Sequence, residues 1–164
     1  MPISVTAIKA ELKAAVMIPP EILKALNEAA DRVEDDYHQI TKTWYQKPKI
    51  TKTKEITPST ARIVIGSDDE ILEYVTKGTH PHPIWPIRAE RLQFRSGYRA
   101  KTTPGIVGST SGGPTGGEVY SVGVMHPGTE PRDFEDAIVE KESPWFRGRM
   151  DQAFRDAARR IGGG

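Results

Sequence analysis

The stretch Val124-Met125-His126-Pro127-Gly128-Thr129-Glu130-Pro131-Arg132-Asp133-Phe134 restricts the fold more than any other part of the chain. Pro127 fixes φ, Gly128 permits φ > 0 and Pro131 bars a β ladder from continuing, so a chain arriving extended must turn sharply here. Asp133 is placed to cap a helix that begins at Phe134. A second junction of the same kind, Tyr74-Val75-Thr76-Lys77-Gly78-Thr79-His80-Pro81, lies upstream.

Between and around these junctions the apolar periodicity reads as helices and short strands. Ser4 to Met17 has Val5, Ile8, Leu12, Ala15 and Val16 at helical spacing and predicts a short helix ended by Pro19-Pro20. A longer helix starts at Pro20 or Glu21, with Ile22, Leu26, Ala29, Ala30, Val33, Tyr37, Ile40 and Trp44 on one stripe and acids on the other face. Pro48 to Thr57 is β-prone but poor in apolar residues, so it predicts an edge strand guarded by lysines. Thr60 to Gly66 predicts a central strand, and Asp68-Asp69 caps a short helix through Ile71, Leu72 and Val75. Ile87 to Phe94 and Glu118 to Met125 predict further strands, and Ser96 to Gly117 between them reads as a Gly-rich loop. Phe134 to Lys141 predicts one helix, with a second restarting at Ser143-Pro144. The order predicts an α+β fold: a small antiparallel or mixed β-sheet packed against a long N-terminal helix and a C-terminal helix, with a long Gly-rich loop.

Bulk properties narrow the function classes. At 164 residues the chain fits a single domain over 1–164. A net charge of +1 gives no strong overall field, so any contact with a polyanion has to be local. Without cysteine there is no disulfide or thiol chemistry. No apolar run approaches the roughly 20 residues that span a bilayer, and the N-terminus lacks a secretory pattern, which predicts a soluble protein without membrane partners.

Three constellations carry candidate chemistry. His80, His82 and His126 are the right ligand type for zinc and suggest a small metal-dependent hydrolase, but no carboxylate or cysteine stands at supporting spacing. The alternative is that prolines shape these turns while the histidines bond nearby backbone, with no metal, cofactor or catalytic residue. Lys42, Lys47, Lys49, Lys52 and Lys54, beside Trp44 and Tyr45, form a basic run suited to subunit or DNA contacts, or to protecting a strand edge. The glycines of Gly108 to Gly117 lack the Gly-Lys-Ser/Thr ending of a phosphate loop, and a finger of this composition orders against a neighbouring surface or stays a surface loop.

From about Pro19 to Ile161, the long amphipathic helix ending in Thr43-Trp44-Tyr45, the two Gly-Thr junctions and the C-terminal helix together resemble the neck and tail-completion (minor tail) proteins of tailed bacteriophages. The matching positions are Tyr74, Val75, Gly78 and Thr79 in the first junction and His126, Pro127, Gly128, Arg132 and Phe134 in the second, all as fold-determining residues. The resemblance implies a non-enzymatic virion protein, assembled in the host cytoplasm, that forms a hexameric ring at the head-to-tail interface. Its partners would be copies of itself, the adjacent connector ring, the tail tube and the phage DNA passing through the lumen without sequence specificity. The chain departs from the family pattern in the run His80-Pro81-His82-Pro83-Ile84-Trp85-Pro86 and in the length of the Gly-rich insertion.

Overall fold

The computed structural model describes residues 3–6 and 17–162. Among these residues it is α+β, with three helices and small antiparallel sheets. The chain, which reads as one domain in sequence, gathers into two compact units. A helical unit comprises Met1–His38, Lys49–Asp68 and Glu135–Gly164, and a ribbon unit comprises Gln39–Pro48 and Asp69–Phe134.

In the helical unit, α1 (Pro20–Thr41) contributes more buried apolar residues than any other element among the described residues. Its stripe buries Ile22, Leu26, Ala29, Ala30, Val33 and Tyr37 at the three-and-four spacing of one helix face. Burial, followed by the Glu135 charge, pushes the Tyr37 hydroxyl well above its ordinary pKa. The strands are β1 (Ile3–Thr6), β2 (Thr51–Ile56) and β3 (Ala61–Gly66), in the order β1-β3-β2. β3 is central, as its apolar run predicts, and buries Ala61, Ile63 and Ile65 on one face. β2 is the expected edge. Its register places Lys52 opposite Ile65 and Lys54 opposite Ile63, so both lysines share the face of the β3 core residues.

The first segment corrects the sequence reading. A helix over Ser4 to Met17 is excluded at its start because Ile3–Thr6 pairs with β3, and residues 7–16 lie outside the described residues. The alternation Ile3-Ser4-Val5-Thr6 has the period of a strand, and a β3 edge was available to pair it. The C-terminal helix is also corrected. α3 (Phe134–Gly162) runs unbroken through Pro144 instead of restarting there, and the Ser143 hydroxyl donates to the Val139 carbonyl one turn back at 2.5 Å instead of capping a new helix. Met150, Ala153 and Ala157 of its stripe are buried, whereas Phe154 and Ile161 are exposed.

Charged groups fasten the elements of the helical unit. Arg32 grips Glu142 with Nε and Nη2 at 2.5 and 3.3 Å and lies 4.4 Å over the Trp145 ring. Lys141 joins Asp36 and Glu142, and Arg149 reaches Glu28 at 2.5 Å. Burial pushes the Glu142 carboxyl up, but hydrogen bonds from Arg32 and Lys141 outweigh it and hold it below the ordinary range. Burial dominates at Asp36, which stays raised despite Lys141, with the neighbouring Glu142 adding to the rise.

The ribbon unit contains α2 (Glu70–Lys77) and a set of two-stranded ribbons. Asp69 caps α2 as expected, its carboxylate accepting from the Ile71 N–H at 2.9 Å. β4 (His82–Ile84) pairs with β9 (Val124–His126), β5 (Leu92–Arg95) with β8 (Glu118–Ser121), and β6 (Tyr98–Arg99) with β7 (Gly113–Pro114). The strand expected over Glu118 to Met125 is therefore two strands broken near Gly123, where an added Cβ would lie 2.3 Å from the Trp85 ring. The segment Ser96 to Gly117, read as loop, contains β6 and β7. It is laced by further backbone bonds from Ser96 to Gly117, Thr115 to Gly97 and Thr110 to Lys101. Hydrogen bonding replaces the apolar burial that the segment lacks.

Candidate functional site

Gly78-Thr79 and Gly128-Thr129, 50 residues apart, meet as one structure. The Thr79 N–H donates to the Thr129 carbonyl at 2.9 Å, and the Thr129 N–H donates to the Thr79 carbonyl at 3.0 Å. The Thr79 hydroxyl oxygen also accepts from the Thr129 N–H at 3.1 Å. Gly78 has φ 73 and Gly128 φ 88. A Cβ on Gly78 would lie 2.5 Å from the Thr129 carbonyl oxygen, and one on Gly128 would lie 2.2 Å from that of Thr79. Each glycine is thus required twice, by its own dihedral and by the backbone facing it.

The bridge continues into the β4–β9 pair, where His82 stands opposite His126 with ring centroids 5.0 Å apart. The His126 Nδ1 accepts from the Gly128 N–H at 3.0 Å, and the His82 Nδ1 lies 2.8 Å from the His80 carbonyl oxygen. An acceptor at His126 and a donor at His82 fix opposite tautomers on the two stacked rings. His80 is exposed, and among the described residues no group of three or more His, Cys, Asp or Glu side chains is arranged to hold a metal. His82 and His126 each use Nδ1 to shape one of the two turns.

Past Pro127 and Gly128, the backbone N–H groups of Arg132 and Asp133 both go to the Thr76 carbonyl at the end of α2, at 3.0 and 3.3 Å. This satisfies a carbonyl of the last helical turn. It also corrects the expected cap, because Asp133 sits in the left-handed region at φ 47 instead of the extended conformation of an N-cap. Arg132 is buried to 9% exposure and reaches Glu130 at 3.3 Å, while its carbonyl accepts from the Gly105 N–H. Phe134 is fully buried, with the Trp44 ring centroid 6.4 Å away. Trp44 lies beyond the end of α1 instead of on its stripe, its N–H closing a turn onto Thr41. Val75 is partly buried and Tyr74 is exposed on α2.

Comparison of the chain with family models, with curated proteins and with solved structures finds no match. The geometry of the chain is therefore the ground for a functional reading.

Of the five lysines of the run, two are bound to α1 and three are not. Lys52 is 2.6 Å from Asp31 and 2.5 Å from Glu34, and Lys54 donates to the Asn27 side chain at 2.5 Å, so both are committed to α1. Burial alone would lower the Lys52 ammonium, but the two carboxylates outweigh it and leave it above its ordinary range. Lys42, Lys47 and Lys49 are exposed.

The ribbon unit has little interior of its own. Among the described residues, its share of the buried apolar side chains is Ile40, Pro48, Leu72 and Phe134. Ile87 at 94%, Met125 at 68%, Val122 at 67% and Trp85 at 64% are exposed on it, with Tyr45, Tyr98 and Tyr120 likewise. Trp44, Tyr45, Ile71, Val75 and Tyr98 also line a mostly apolar groove of about 410 Å³, with Lys101 and Arg132 supplying cations at its wall. Each two-stranded ribbon leaves one row of backbone groups per strand without a ladder partner. Sequence reasoning identified the edge in β2 but not these, because strands of two to four residues leave almost no periodic signal.

Proposed function

We propose that this chain is a non-enzymatic structural subunit of the head-to-tail interface of a tailed bacteriophage, forming a ring between the capsid connector and the tail tube. In this reading it acts in neck assembly, tail completion or tail termination, and works by shape: copies pack side by side and leave an axial passage for DNA. The supporting observation is the ribbon unit, which exposes large apolar side chains and open strand edges together and retains few buried apolar residues. Soluble monomers rarely leave such surfaces bare, and subunits completed by their neighbours regularly do. The resemblance of the two Gly-Thr junctions supplies the biological setting.

The test is native mass measurement of the purified protein, followed by mass spectrometry of disrupted virions from the phage that encodes it. A closed oligomer and a fixed copy number per particle are expected. A protein that stays monomeric at high concentration and is missing from virions overturns the reading.

A further inference from the structure

The arginines of the two units differ in their partners. In the helical unit Arg32, Arg62, Arg149, Arg159 and Arg160 each stand within ion-pair distance of a carboxylate, and only Arg147 and Arg155, exposed on α3, do not among the described residues. In the ribbon unit Arg132 does so, whereas Arg88, Arg91, Arg95 and Arg99 are exposed and have no acidic partner within that distance among the described residues. All four lie on or beside the outgoing arm of one long hairpin, built from β5–β8 and β6–β7. Lys101 follows on the same arm and donates to the neutral Thr43 carbonyl at 2.9 Å. The acids of this hairpin are Glu90 and Glu118. Glu118 stands opposite Arg95 in register, yet the Arg95 guanidinium turns instead to the Gly116 carbonyl at 3.3 Å.

Unpaired guanidinium groups along a narrow β ribbon have a specific geometric use. The major groove of duplex DNA is about 12 Å wide and admits a two-stranded ribbon. Arg91, Arg95 and Arg99 lie along one arm of such a ribbon, with Gly97 at φ 65 between the last two. Their forked donors match phosphate oxygens, and the ribbon's backbone groups and Gly-rich return arm allow close approach. We propose that the β5–β8 hairpin is a sequence-independent contact for duplex DNA, laid along the major groove with Arg91, Arg95 and Arg99 on the flanking phosphates. This goes beyond ring assembly and assigns the nucleic-acid contact to these arginines instead of the lysine run, of which Lys52 and Lys54 are tied to α1.

The test uses the full chain and a short mixed-sequence duplex, with binding followed by fluorescence anisotropy over a salt series. The double variant Arg91→Gln/Arg99→Gln removes two exposed side chains and should weaken binding by about tenfold at low salt. It should also make the slope of log affinity against log salt less steep by about two. The matched control Arg147→Gln/Arg155→Gln removes the same charge from exposed positions of α3 and should leave both quantities unchanged. Equal losses in the control, tighter binding to single strands than to duplex, or equal binding to poly-glutamate would each overturn the proposal. Native mass is measured on the same samples. A variant that assembles normally yet binds DNA as tightly as the wild type sinks this inference and leaves the ring reading standing.

Discussion

Thr79 and Thr129 exchange both of their backbone hydrogen bonds, at 2.9 and 3.0 Å, although 50 residues separate them. The glycine before each threonine lies against the carbonyl of the opposite threonine. The two junctions are therefore one clasp, which closes the ribbon unit by joining the end of α2 to the approach to α3. A loop of this length costs only slowly growing entropy to close, and the reciprocal bonds and the histidine stack offset that cost at a single point.

The clasp predicts a graded response to alanine. Gly78→Ala and Gly128→Ala each combine an unfavourable φ with a contact to backbone at 2.5 or 2.2 Å, so each should lose about 2 kcal/mol of stability. Gly105 also has a positive φ, 67, but has open space where its Cβ would go, so Gly105→Ala should lose only about 1 kcal/mol. Chemical denaturation of the three variants checks the order. The double variant at 78 and 128 should lose less than the sum, because either change already opens the bridge.

The ion cluster of the helical unit predicts opposite behaviour for its two acids. Glu142 is held below its ordinary 4.5, so its contribution is present above that value and disappears as pH falls through its lowered folded value. Asp36 is raised above its ordinary 3.8, so the fold favours its protonated form, and that contribution disappears as pH rises through the raised value. Glu142→Gln should therefore lose about 2 kcal/mol at neutral pH and show a flatter loss of stability on acidification. Asp36→Asn should be near neutral or slightly stabilising at pH 7, since Lys141 keeps Glu142 at 3.2 Å. Melting temperatures across an acid-to-neutral series would show the crossing, and equal losses at pH 7 would contradict it.

What could be read from the sequence was what repeats locally. The stripe Ile22, Leu26, Ala29, Ala30, Val33 and Tyr37 gave α1 because each turn of the pattern reinforces the next, and the run Ala61 to Ile65 marked the central strand. Asp69 was legible as a cap because a carboxylate two residues before Ile71 has one obvious use. The failures occurred where a distant partner decides. Ile3–Thr6 became a strand through β3, and the prolines around His82 and Ile84 masked β4, whose partner comes more than 40 residues later. The Gly-Thr junctions announced turns but not that they turn toward each other. The commitment of Lys52 and Lys54 to α1 was equally invisible, since it depends on which face of β2 meets the helix.

Pro144 offers a stabilising prediction. It interrupts the helical bond to the Glu140 carbonyl inside α3, and its side chain is exposed. Pro144→Ala should restore that bond and raise stability by about 1 kcal/mol. The gain should appear as a higher melting temperature with no change in native mass. A loss would mean that a bend at Ser143-Pro144 is needed for the packing of Ile138 and Met150 on either side of it.

The exposed apolar residues of the ribbon unit give the most direct test of self-association. Ile87 and Val122 are 94% and 67% exposed, so replacing both with aspartate removes little buried surface from the single chain and should leave its melting temperature within about 1 °C. If these side chains are covered by a neighbouring copy, two buried aspartates at that interface should cost about 2 kcal/mol per site, a weakening of roughly thirtyfold for each. Sedimentation of Ile87→Asp/Val122→Asp should then show monomers at concentrations where the wild type is assembled. Lys47→Glu/Lys49→Glu, at exposed positions of the lysine run, serves as the charged control. Loss of assembly in the aspartate variant alone would identify an apolar interface, loss in the lysine variant alone would identify an electrostatic one, and persistence of the oligomer in both would place the contact on other edges of the ribbons.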